Sequence, residues 1–139
     1  MNANPSLKQE VSAELPWLFQ ELGLQITESG FNPKSFGDSF VILASPALRV
    51  RFVRDRGQVS AEVASLSDPR TWWNLEHVCE IISDKNAEPS FKLSAVADLL
   101  RRNFQALTYC LGSKYNDTKR ELERRGEIRK RAFLKRLSR

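Results

Sequence analysis

Apolar residues along this chain follow two different periods, and the switches between them mark out its elements. From Pro5 to Leu22, Leu7, Val11, Leu15, Leu18 and Leu22 recur three or four apart, which places them on one helical face. Ser6 stands where it would cap that helix and Gly23 where it would end it. Pro16 falls inside the pattern. It has no backbone N–H to donate and its ring clashes with the preceding turn, so a kink or a break into two short helices is expected near Glu14.

At Leu24 the period drops to two. Leu24 to Thr27, Asp38 to Ser45, Leu48 to Arg54 and Gln58 to Ala64 read as four strands of an antiparallel meander. Turn residues at Ser45-Pro46 and Asp55-Arg56-Gly57 join the last three. The last hairpin must bring Leu48, Val50 and Phe52 onto the same face as Val59, Ala61 and Val63. A three-residue loop fails, because it sets Ser60 and Glu62 opposite Phe52 and Val50. A two-residue loop, Arg56-Gly57, puts Arg51 opposite Glu62; a four-residue loop, Arg54 to Gly57, puts Arg49 there instead. Both let Gly57 take the positive φ that other residues resist.

After Asp68-Pro69 the helical period returns. Trp72, Leu75, Val78, Cys79 and Ile82 line a helix from Trp72 to Ser83, and Lys85 to Pro89 reads as a polar loop. A second helix starts at Ser90 or Ser94 and runs through Cys110. Its stripe of Leu93, Val96, Ala97, Leu100, Phe104, Leu107 and Leu111 is the clearest in the chain. Gly112 predicts a bend before a final helix that Asn116 or Asp117 would cap. The expected fold is α+β: an antiparallel β-meander of about four strands, helices packed on one face, and a basic C-terminal helix.

Charge adds the main asymmetry. Residues 114–139 hold eleven basic and four acidic side chains, a net +7, while the chain as a whole is +5, leaving residues 1–113 at −2. This divides the chain into a globular α+β domain, 1–113, and a basic helical extension, 114–139. A helix cationic over several turns either faces an anionic surface or is held apart in solvent. Glu121 with Arg125 and Glu127 with Arg131 stand four apart in the favourable order for helix ion pairs, and Gly126 marks a weak point. With 139 residues, 41% hydrophobic and 28% charged, the chain is long enough for one core. The longest apolar run, Phe40-Val41-Ile42-Leu43-Ala44, is far short of the roughly 20 residues of a membrane span. No signal peptide is visible at Met1 to Ser6, so a cytoplasmic location with reduced Cys79 and Cys110 is expected.

No motif declares a reaction. His77 is the single histidine, and neither C-x-x-C nor H-x-x-x-H spacing accompanies it, so no metal site is expected. Both cysteines fall on apolar helix faces, where packing explains them better than nucleophilic chemistry. The six glycines are dispersed and build no phosphate-binding loop. The carboxylates Asp38, Asp55, Glu62 and Asp68 suit turns and strand ends. The expectation is a non-catalytic protein without cofactor.

Binding candidates are arginines and one tryptophan. Arg49, Arg51, Arg54 and Arg56 alternate along one strand and into its turn; the bland reading is a solvated face neutralised by Glu62, the functional one a cationic recognition surface. Of the Trp72-Trp73 pair one indole joins the core and the other sits at its edge, and Trp73 is taken as the anchor for a partner. Arg124, Arg125, Lys130 and Arg131 form an electrostatic arm for a protein partner with an acidic surface or, alternatively, for nucleic-acid phosphates.

Phe36-Gly37-Asp38-Ser39, followed by Arg51-Phe52-Val53-Arg54-Asp55-Arg56-Gly57-Gln58-Val59, resembles small bacterial proteins similar to immunity proteins of polymorphic and contact-dependent toxin systems. The resemblance spans about residues 15–110 and leaves out the basic tail. It implies stoichiometric binding and neutralisation of a cognate toxin, without catalysis. Immunity proteins against nucleases are often acidic, whereas this chain is +5, so charge complementarity calls either for an acidic toxin surface or for a partner gripped by the near-neutral body.

Overall fold

A computed structural model describes residues 6–32, 34, 38–83 and 90–138. The expected helix start at Pro5, the Lys85 to Pro89 loop, and Phe36 and Gly37 of the resemblance lie outside the described residues. The first helical segment is broken at Pro16, as its missing N–H requires. Helix α1 covers Leu7–Glu14 and α2 covers Trp17–Gln20. Ser6 and Gln9 form a reciprocal capping box, in which Ser6 Oγ accepts from Gln9 N (3.3 Å) and Gln9 Oε1 accepts from Ser6 N (3.0 Å). A further donor of that first turn, Leu7 N, is met by Ser39 Oγ from the sheet at 3.2 Å. Gly23, at φ +68°, turns the chain into the sheet.

The sheet is antiparallel throughout, in the order β1 (Gln25–Asn32), β2 (Asp38–Ala44), β3 (Leu48–Asp55), β4 (Gln58–Ser65) and β5 (Trp73–Asn74). The β3–β4 hairpin takes the two-residue loop. Phe52 faces Ala61 and Arg51 faces Glu62, with Arg56 (φ +53°) and Gly57 (φ +81°) in the turn. Arg56 bears a side chain at a positive φ, and Asp38 Oδ1 holds its backbone N–H at 2.9 Å.

Two strands differ from expectation. β1 runs on to Asn32, past the predicted end at Thr27, with a register shift between Ile26 and Glu28. Its sequence hides this because Gly30 interrupts the alternation; the ring of Phe40 lies where a Cβ at Gly30 would be. β5 was expected to be the start of a helix. Trp73 and Asn74 pair with Val63 and Glu62, and α3 begins only at Leu75, ending at Ser83. Asn74 caps it, its Oδ1 accepting from Glu76 N (2.9 Å) and His77 N (3.4 Å).

Helix α4 (Leu93–Leu111) follows, and α5 (Tyr115–Leu137) closes the chain after the bend at Gly112. One core joins the inner face of the sheet (Val41, Leu43, Val50, Phe52, Val59, Ala61, Val63) to the helices. It includes Tyr115 and Leu122, only 5% and 2% exposed. The boundary expected between residues 113 and 114 is therefore corrected: the first two turns of α5 belong to the globular domain. Its sparse apolar residues hid this, since Tyr115 and Leu122, seven apart, share one face amid charged neighbours.

The outer margin of β4 is covered, by β5 at Glu62 and Val63 and by the Phe91 carbonyl, which accepts from Val59 N at 2.9 Å. β1 is the other margin, and no further element pairs with it among the described residues.

Candidate functional site

The second face of the sheet carries no helix among the described residues, and residues two apart on β3 reach it together. Arg49 and Arg51 rise from this face and bring their guanidinium groups over the indole of Trp72, with guanidinium carbons 4.8 and 4.5 Å from the ring centroid. Each guanidinium is also anchored from below. Arg51 Nε donates to Glu62 Oε1 at 2.8 Å, and Arg49 Nη1 donates to the carbonyl of Pro69. Phe40, Ile42 and Val53 floor the adjoining groove, Glu28 and Arg70 lie at its edges, and it encloses about 750 Å³. Arg70 makes no ion pair among the described residues.

Trp72, rather than the expected Trp73, is the outward indole. In a strand neighbours point to opposite faces, so pairing Trp73 with Val63 turns it inward, where it packs against the core. Its Nε1 donates to Tyr115 Oη at 3.2 Å, which makes Trp73 a tether for α5. Treating the pair as strand residues would have found this.

Arg54 also leaves the expected group. It stands two residues beyond Phe52 and so shares the inner face, where it pairs with Glu10 of α1 with only 14% of its side chain exposed. Arg56 stays exposed in the turn, away from the groove. Arg124 and Arg125 are both committed to Glu121. Arg124 Nε donates at 3.1 Å and Arg125 Nε at 2.8 Å, and hydrogen bonds from Arg124, then Arg125, bring the Glu121 carboxyl down to about 2. The other expected pair, Glu127 with Arg131, is not formed. Lys130 and Arg131 lie on the solvated distal part of α5.

Asp68 gathers the tether of α5. Tyr115 Oη donates to its Oδ2 at 2.6 Å, Thr71 Oγ1 to its Oδ1 at 2.9 Å, and Lys119 Nζ approaches Oδ2 at 3.4 Å. The bond from Tyr115, then that from Thr71, hold the Asp68 carboxyl below its usual range. Burial, reinforced by the bond to Asp68, pushes the Tyr115 phenol up to about 12. A phenol whose folded value is raised contributes stability that is complete below the unfolded value of 10.0 and disappears as pH climbs towards about 12. In a Tyr109→Phe background, phenolate absorbance is expected to appear only near pH 12, together with loss of helix by circular dichroism. A phenol titrating near its unfolded value with the helix content intact would contradict the tether.

Burial and neighbouring charge set the ionisation of His77 and the two cysteines. Burial, then the nearby Arg129, lowers the His77 pKa; its Nδ1 lies 3.3 Å from Arg129 Nη2, so a neutral ring accepts that bond. Burial pushes the Cys79 thiol up to about 12 and raises that of Cys110, which leaves neither as a ready thiolate. Among the described residues no three His, Cys, Asp or Glu side chains converge as metal ligands, and no helix is long and apolar enough to cross a membrane. Comparison with protein-family models, with curated proteins and with solved structures gives no match.

Proposed function

We propose that this chain is a non-catalytic protein-binding module that takes a carboxylate-bearing partner on the open face of its sheet. One observation carries the reading: an indole stacked with two guanidinium groups beside an apolar groove, on a face left bare by the described helices. Tryptophan and arginine dominate protein-binding hot spots, because they bury much area at a small loss of side-chain freedom once they are held in place. Here the stacking and the bonds to Glu62 and Pro69 have already ordered them. The toxin neutralisation implied by the resemblance is the most concrete form of this activity, with the partner supplying acids to Arg49 and Arg70. Nucleic acid fits the groove less well, since Glu28 and Glu62 stand among its arginines.

Trp72 is only half-buried and outside the core, so Trp72→Ala is expected to leave the unfolding midpoint nearly unchanged. Binding of a purified partner, measured by calorimetry, is expected to weaken about tenfold or more, a loss of about 1.4 kcal/mol per decade. Equal affinity of the wild-type chain and this variant would remove the sheet face as the docking surface.

A further inference from the structure

Past Arg125, α5 leaves the body. Among the described residues its last hydrogen bond to the body is the one from Arg129 to His77, and every residue from Glu127 to Ser138 is exposed. Within this stretch Lys130, Arg131, Lys135 and Arg136 make no ion pair among the described residues. Phe133, Leu134 and Leu137 are each more than half exposed in the same turns. Phe133 follows Tyr115 by 18 residues, about five helical turns, and Leu137 stands one turn further on. The stripe with which α5 grips its own body therefore continues, apolar and uncovered, beyond the edge of that body. A solvated helix of about three turns is marginal alone and gains most from a surface that covers such a stripe.

The pattern narrows what that surface is. A phosphate backbone engages the cations and leaves the phenylalanine and leucines in water. A flat bilayer reaching the stripe would run into the body, which lies on the same side of the helix. A second copy carries the same net charge of +5, so its field as a whole repels the arm, and its acids Glu10, Glu21, Glu62, Asp68 and Asp98 are already paired with Arg54, Arg101, Arg51, Lys119 and Arg102. What remains is a compact foreign protein with an apolar groove and an acidic rim, the counterpart of a basic amphipathic helix.

We infer that Glu127 to Leu137 is a docking helix, which seats Phe133, Leu134 and Leu137 in the apolar groove of an acidic partner protein while Lys130, Arg131, Lys135 and Arg136 meet carboxylates on its rim. The site is separate from the sheet face and stands or falls without it. Calcium-loaded calmodulin presents this surface chemistry, an acidic molecule with a methionine-lined groove, and serves as the probe. Titrated with the full chain, it is expected to bind saturably, about tenfold or more weakly for the double variant Phe133→Asp, Leu137→Asp, and unchanged for Trp72→Ala. Both variant side chains are exposed, so an unaltered unfolding midpoint accompanies the loss. The inference is overturned by absence of saturable binding or by equal binding of the double variant. Tighter binding of duplex DNA or of phosphatidylglycerol vesicles, or concentration-dependent dimerisation through these residues, would also overturn it.

Discussion

Truncation after Gly126 is expected to preserve cooperative unfolding at close to the full-length midpoint, whereas truncation after Ser113 abolishes it. The two cuts differ by 13 residues, and those residues include Tyr115, Thr118 and Leu122, all buried. Burying a large apolar side chain is worth about 1.5–3 kcal/mol, so Tyr115 and Leu122 together approach the low end of a domain's total of about 5–15 kcal/mol. The longer cut also uncovers Trp73 and removes two donors from Asp68. The shorter cut takes away only solvated residues and the bond between Arg129 and His77. Thermal and urea melts followed by circular dichroism decide the matter; a chain ending at Ser113 that melts like the full protein would show α5 to be dispensable.

Phe52→Ala is the single substitution with the largest expected cost. Phe52 has no exposure, is the largest of the fully buried side chains, and stands on the inner face of the sheet opposite Ala61. A small facing residue leaves nothing on β4 to fill the space. Removal of a buried phenylalanine costs about 3–5 kcal/mol, through lost transfer energy and the cavity left behind. The urea midpoint is expected to fall accordingly at unchanged slope, with Phe52→Leu falling much less. A loss below about 1 kcal/mol would mean that the inner face is loosely packed.

Elements that repeat one signal several times were legible in the sequence. Alternation fixed β2 to β4, and the need to match apolar faces left two hairpin registers, one of which the structure adopts. The stripe of α4 and the break at Pro16 were equally plain. What the sequence concealed depends on pairing between distant segments. Two adjacent tryptophans fit the edge of a helical stripe as well as a strand, and only the bond of Asn74 to the start of α3 and the pairing with β4 decide between them. The docking of α5 rests on Tyr115 and Leu122, too few apolar residues to stand out among so many charges. Arg54 is a different case, because its place two residues after Phe52 already put it on the inner face.

The β1 margin of the sheet, uncovered among the described residues, gives the molecule a direction of growth. Between Gln25 and Phe31, one row of amide and carbonyl groups faces outward with no neighbouring strand among the described residues, while the far margin is stoppered by Phe91 and β5. Strand-by-strand polymerisation would therefore enter at β1. The irregularity at Thr27 and the negative charge of Glu28 beside it stand at that entrance as its guard, for a flat, uncharged ribbon there would template the next chain.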